Sequence, residues 1–162
     1  MNTKQYNTCV ELYSDHLYRF MLKNVRNIDL AKDLVQMAFE VLWLNKEQVE
    51  EEKAKSYLFT IGYRKMIDEI RKQKRILYKD EINETIGGYS ETKQIDLKKS
   101  LENALHKLPD IQKQLILLKD YEGYSYEEMA SITGLNEGQV KINLYRARTF
   151  LKQELISVDT HI

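Results

Sequence analysis

A single proline, Pro109, and six glycines are all the backbone punctuation in 162 residues. Proline removes an amide donor and glycine adds backbone entropy, so a chain this short of both can run in long helices. A loop-rich β fold would need more of both at its turns. Two glycines stand together, Gly87-Gly88, in "ILYKDEINETIGGYSETKQIDLKK" (76–99), a polar stretch with few large apolar groups that reads as a linker. Helical patterning occupies residues from about 4 to 75 and resumes near 100. The expected architecture is all-α: two small helical domains, 1–75 and 100–162, joined by a flexible linker, 76–99.

Charge narrows the possible functions. The chain carries 25 Lys+Arg and 25 Asp+Glu. The first block holds 14 bases and 11 acids, the linker 4 and 5, and the last block 7 and 9. Neither domain is strongly basic, so any nucleic-acid surface must come from local clustering. The opening "MNTKQYNTCVELYSDHLYRF" has no uninterrupted apolar run, which predicts a cytoplasmic protein with no secretory signal and no direct membrane insertion. Cys9 is the one cysteine, and His16, His106 and His161 show neither metal nor triad spacing. No nucleophile, general-base site or metal cage is legible, so no enzyme, cofactor or small-molecule substrate is expected.

The last block has its own grammar. Pro109 favours a helix start, and Ile111, Leu115, Leu117 and Leu118 suit a buried helix. After Gly123, Ser125 and Glu128 have capping-box spacing, with Met129, Ala130 and Ile132 on the buried side. "TGL" (133–135) supplies a glycine turn, and Asn136 with Gln139 repeats the capping pattern. Two short helices about such a turn are a helix-turn-helix, whose second helix enters the major groove. On that helix Val140, Leu144, Ala147 and Leu151 form the core stripe, while Ile142, Tyr145, Arg146 and Thr149 lie opposite. Lys141, Arg146 and Arg148 suit phosphate anchoring; Gln139, Ile142 and Asn143 suit base reading, Ile142 through a thymine methyl. An ordinary amphipathic helix with a solvated basic face is the competing reading.

In the first block, "IDLAKDLVQMAFEVLWLN" (28–45) fits one long helix with Leu30, Leu34, Met37, Val41 and Leu44 as its core stripe. Asp29, Asp33, Gln36, Glu40 and Glu47 share another stripe, with Trp43 beside it. In the next helix Leu58, Phe59, Gly62, Met66 and Ile70 can face inward, leaving Tyr57, Arg64, Arg71 and Arg75 aligned within roughly 60°. An aromatic ring in register with arginines is what melted single-stranded DNA needs, a stacking surface plus phosphate neutralisation.

These residues carry a resemblance. "LPDIQKQLILLKDYEGYSYEEMASITGLNEGQVKINLYRAR" resembles region 4 of the sigma-70 family of bacterial transcription initiation factors, at Leu108-Pro109, Gln112, Gly123, Ser125 to Glu128, Ala130, Gly134, Val140-Lys141 and Arg146 to Arg148. "AKDLVQMAFEVLW" resembles region 2.2 of the same family, with Asp33, Leu34, Gln36 and Phe39 matching and Met37 in place of an acid. The resemblance implies that Asp33, Gln36, Phe39 and Glu40 dock on core RNA polymerase. The helix "AKSYLFTIGYRKMIDEIRKQKR" is similar to regions 2.3 and 2.4, with Tyr57 at the usual Trp position, Lys65 where Asn is usual, and Asp68 and Arg71 matching. Tyr57, Arg64, Lys65, Arg71, Lys72 and Arg75 are then expected to melt and read the minus-ten promoter element. The acidic run Glu50-Glu51-Glu52 falls in the preceding loop, which in the family helps hold an unstacked base.

Both signatures occur in family order, and the short linker has no room for the intermediate domain of larger members. The resemblance is to the minimal extracytoplasmic-function (ECF) group. It implies binding to core RNA polymerase and promoter DNA, with the minus-thirty-five element read by Gln139, Lys141, Ile142, Asn143, Arg146 and Arg148, and control by an anti-sigma factor. The alternatives are a polymerase-independent helix-turn-helix transcriptional regulator and a helical adaptor that binds protein partners only.

Overall fold

The computed structural model describes residues 1–79 and 97–159, which form seven α-helices and no strand. Residues 80–96 of the expected linker, including Gly87-Gly88, lie outside the described residues. The helical flanks reach further into the 76–99 stretch than its composition suggests: α3 runs past Arg75 to Lys79, and α4 begins at Leu97.

Three long helices build the first half: α1 (Thr3–Val25), α2 (Ile28–Leu44) and α3 (Ala54–Lys79). Asn2 caps α1 by accepting from Gln5 N while the Gln5 side chain returns to the Asn2 amide, a reciprocal box. The chain reverses through left-handed Arg26, and Asn27 caps α2 by accepting from Leu30 N. Two short 3₁₀ turns, Lys46–Gln48 and Glu51–Lys53, carry the chain into α3. Gly62 lets the three helices pack closely: a Cβ there would stand 2.7 Å from Met21 Cε and 3.3 Å from Leu17 Cδ1, so the Met21 side chain would have to move.

The α2 core stripe differs from the expected one. Ala31, Leu34, Ala38, Phe39 and Leu42 are buried, whereas Met37 and Leu44 are exposed and Leu30 and Val41 are only partly covered. The small side chains at 31 and 38 let the helices approach closely, turning larger apolar groups outward. The inward set on α3 is as expected, with Leu58, Phe59, Gly62 and Met66 buried and Ile70 half-buried.

The second half holds α4 (Leu97–Lys107), α5 (Asp110–Ile116), α6 (Tyr126–Thr133) and α7 (Glu137–Asp159). Pro109 stands immediately before α5, which ends in a single π turn, Leu117–Tyr121, closed by a hydrogen bond from Glu122 N to Leu117 O. All six residues from Lys113 to Leu118 are buried. A helix covered on every side lies between packed layers, and α5 touches α7 on one flank and α1 on another.

The two halves therefore share one buried core, across which Phe59 sets its ring centroid 5.4 Å from those of Phe20 and Tyr124. The seam also carries polar contacts. Tyr63 Oη donates to Gln114 Oε1 at 2.7 Å, and the buried Lys113 ammonium reaches Asn24 O at 3.5 Å, at the carbonyl end of α1. His16 Nδ1 and Lys55 Nζ lie 3.1 and 3.4 Å from Glu122 Oε1. Lys23 pairs with Glu102, and Lys74 with Asp110.

Burial pushes the Tyr63 phenol up to about 12, and it also raises Tyr124. A phenol raised in the folded chain contributes stability in full below the ordinary tyrosine value near 10, and loses it as pH climbs through the folded value. Burial lowers Lys113, which acts oppositely below 10.5. Urea unfolding at pH 10, 11 and 12 should show falling stability, with Tyr63→Phe losing on the order of 2 kcal/mol less over that range than the parent chain. An unchanged slope in that variant would mean Tyr63 is not buried in solution.

Candidate nucleic-acid interfaces

The helix-turn-helix is capped at both starts. Ser125 Oγ accepts from Glu128 N, and the Glu128 carboxylate accepts from Ser125 N. Gly134 takes a left-handed φ of 82° to close α6. Asn136 N then donates to Gln139 Oε1 at 3.0 Å while Gln139 N donates to Asn136 Oδ1 at 2.8 Å, so α7 opens on a second reciprocal box.

On α7 the expected stripe Val140, Leu144, Ala147 and Leu151 is buried. Lys141, Ile142, Tyr145, Arg146 and Arg148 are exposed, with Ile142 at 47% and Tyr145 at 72%. Ile142 thus holds an apolar group outward among cations, as a thymine-methyl contact requires. The amides are less free. Gln139 Oε1 is occupied by the cap, and Asn143 Nδ2 donates to Gln139 O at 2.9 Å. Arg148 is paired as well: its guanidinium donates to Asp120 at 2.8 Å, and that hydrogen bond raises its pKa. Lys141, Ile142 and Arg146 are the members of the expected set that no described hydrogen bond or ion pair holds.

On α3 the basic residues Arg64, Arg71, Lys72 and Arg75 are exposed, and Tyr57 and Lys65 are half-buried. Arg64 and Arg71 open on a cleft of about 230 Å³ whose floor includes Tyr63 and Ile67. Its far wall is the helix-turn-helix turn, Ser131 to Gly134, a neighbour no pattern within α3 could reveal. In the acidic loop before α3, Glu51 accepts from Gln5 Nε2 at 3.1 Å and Glu50 lies 3.9 Å from Lys53.

On α2, Asp33, Gln36 and Glu40 are exposed on one face, and Gln36 Nε2 donates to Glu40 Oε1. Phe39 departs from the docking expectation: it is buried, its ring edge-on to Tyr6 and its carbonyl accepting from Tyr6 Oη. It supports the face from beneath. The apolar part of that face comes instead from Met37 and Trp43, each about two-fifths exposed, with Lys46 Nζ 3.9 Å above the Trp43 ring. Among the described residues no cluster of potential metal ligands occurs, and no helix is long and apolar enough to cross a membrane.

A capped helix-turn-helix with an outward basic helix, coupled to a second helix bearing an aromatic residue in register with arginines, defines a DNA-reading transcription factor of two helical domains. Residues 9–76 match sigma-70 region 2, and residues 98–151 match sigma-70 region 4. The chain belongs to the sigma-70 family, in its ECF group, whose members direct RNA polymerase to promoters at transcription initiation.

Relatives agree over nearly full length. The RNA polymerase sigma factor SigV of Bacillus subtilis is 36% identical over 154 residues, spanning 94% of this chain and 92% of its own. The ECF sigma factor SigM of the same bacterium is 27% identical, spanning 88% and 90%. The sigma factor RpoE of Bartonella quintana, solved in complex with the anti-sigma factor NepR, superposes with a TM-score of 0.77 at 28% identity, over 97% of this chain and 99% of RpoE. CnrH, solved with the cytosolic domain of CnrY, shares the fold with a TM-score of 0.67 at 22% identity.

Proposed function

We propose that this chain docks on core RNA polymerase through the outer face of α2, with Asp33, Gln36 and Glu40 as its polar contacts and Met37 and Trp43 as its apolar ones. Tyr57, Arg64, Lys65, Arg71, Lys72 and Arg75 of α3 then take the melted minus-ten strand. Tyr57 stacks a base and the cations neutralise phosphates. The recognition helix α7 reads the minus-thirty-five element, with Lys141 and Arg146 on phosphates or base edges and Ile142 on a thymine methyl. Gln139 and Asn143 contribute after giving up part of their local hydrogen bonding, and Arg148 after exchanging Asp120 for phosphate. The protein acts in the cytoplasm as a binding subunit and performs no chemistry of its own. RpoE is held by an anti-sigma factor in its solved complex, and an inhibitor of that kind is the expected regulator here.

The observation that carries this reading is the order of matches on one chain, region 2 at 9–76 followed by region 4 at 98–151. In vitro transcription with purified core polymerase on genomic DNA, followed by mapping of start sites, tests it. Discrete starts sharing two spaced elements are expected. A chain that neither co-purifies with core polymerase nor changes its start sites is not a sigma factor. Zero formal net charge further predicts weak free-chain binding. Promoter affinity in the nanomolar range without polymerase, at physiological salt, would contradict that.

Ile142→Ala is expected to relax preference at one base pair of the upstream element by about 1–3 kcal/mol, while leaving the salt dependence of binding unchanged. Competition between promoters that differ at single upstream positions reads this out. Unaltered preference at every position would remove Ile142 from base reading.

A further inference from the structure

We infer that Glu122 is a clip that holds the two halves in their closed arrangement, and that the clip works by charge pairing with Lys55 and His16 across the seam. Only its expected effect on transcription rests on the proposed minus-ten role of Arg64 and Arg71.

Glu122 follows the π turn at the end of α5, and its backbone is fixed there. Glu122 N donates to Leu117 O, Gly123 N to Lys119 O and Tyr124 N to Leu118 O, with Gly123 at a left-handed φ of 76°. The carboxylate presented by this turn has only 6% side-chain exposure, and the two basic groups paired with it both come from the other half. His16 of α1 sets Nδ1 3.1 Å from Glu122 Oε1, and Lys55 of α3 sets Nζ 3.4 Å from the same oxygen. Two lone pairs do not face each other at 3.1 Å, so His16 Nδ1 carries a proton, as the neutral tautomer or as imidazolium. Lys55 grips twice: its ammonium also donates to Glu122 O at 3.4 Å, and it lies 5.2 Å from the Tyr124 ring centroid.

Burial decides what the pairing does. Glu122 Oε1 is covered and accepts no well-aligned hydrogen bond among the described residues, so charge alone compensates its lost water. A buried pair of this kind adds little net stability, because desolvation offsets the attraction. Removing one partner is different, since the other charge is then left buried without compensation. Replacing both partners by apolar groups of similar volume restores the balance. The other seam pairs, Lys23 with Glu102 and Lys74 with Asp110, are more exposed, and water can make good a lost partner there. Closure also has a cost in access: Arg64 and Arg71 line a cleft whose far wall is the Ser131–Gly134 turn. The clip therefore keeps part of the α3 face covered in the free chain.

Single-molecule energy transfer across the seam of the full chain tests this. Dyes are placed through Lys32→Cys on α2 and Gln153→Cys on α7, both exposed positions, with the buried Cys9 changed to Ser. The parent should be mostly closed. Glu122→Gln and Lys55→Met should each shift the closed-to-open ratio by about tenfold or more toward open, with helix content by circular dichroism unchanged. The double variant Lys55→Met with Glu122→Leu carries no charge pair at the clip and should close again, a recovery that a merely misfolded chain would not show. A parent that is already mostly open, single variants as closed as the parent, or a double variant no more closed than the singles would each overturn the inference. In transcription with purified core polymerase, the concentration of Glu122→Gln chain needed for half-maximal starts should fall, by up to about the same factor. Opening in both single variants with transcription unchanged would count against the minus-ten role of Arg64 and Arg71 and leave the clip standing.

Discussion

Phe59→Ala is expected to cost about 3–5 kcal/mol and to loosen both halves of the chain at once. Phe59 is fully buried in the second turn of α3, with Phe20 of α1 on one side and Tyr124, from the segment before α6, on another. Truncation leaves a cavity walled by two rings, and neither can collapse into it without shifting its own helix or turn. Against a total stability of about 5–15 kcal/mol, the loss is a large fraction. Chemical unfolding followed by circular dichroism should show the midpoint falling as one transition. Phe59→Leu, which refills most of the space, should lose much less. A loss below about 1 kcal/mol for Phe59→Ala would mean that the ring does not join the two halves in solution.

The second large effect concerns opening of the promoter. Tyr57→Ala removes the aromatic surface proposed to receive an unstacked base, worth about 1–3 kcal/mol per base. Open-complex formation should drop by roughly 5- to 150-fold, while binding of holoenzyme to closed duplex stays near parental. Permanganate reactivity of thymines around the start site reports strand separation directly. Tyr57→Trp keeps a π face and should retain opening. If Tyr57→Ala opens promoters at the parental rate, the stacked base must rest on another residue.

Much of this was legible in the sequence wherever a single helix decides the matter. The stripe Val140, Leu144, Ala147, Leu151 and the two reciprocal boxes at Ser125 and Asn136 follow from spacing alone, because caps and amphipathic faces are local properties. The buried α2 stripe is not legible from hydrophobicity, which favours Met37 and Leu44 over Ala31 and Ala38. At close helix contacts small size outweighs apolar content, and a large apolar residue can be reserved for a partner. Phe39 illustrates the same limit, since a motif position does not say whether a ring forms the docking surface or supports it. The polar seam was not legible. Lys113 and Gln114 belong to residue types normally found at the surface; in the fold both are buried, with partners on α1 (Asn24 O) and α3 (Tyr63 Oη).

The cleft between α3 and the Ser131–Gly134 turn has a consequence in length. Elements named for positions minus ten and minus thirty-five are centred about 25 base pairs apart, or about 85 Å along duplex DNA at 3.4 Å per step. In the folded chain Arg64 and Arg71, two of the proposed minus-ten contacts, line a cleft walled by the turn that leads into α7. On the proposed reading a ruler this short cannot span both marks, so the halves are expected to part along the seam before one molecule touches both elements. The seam suits a reversible break: Gln114, Lys113 and Glu122 recover water as the rings of Phe20, Phe59 and Tyr124 lose their contacts.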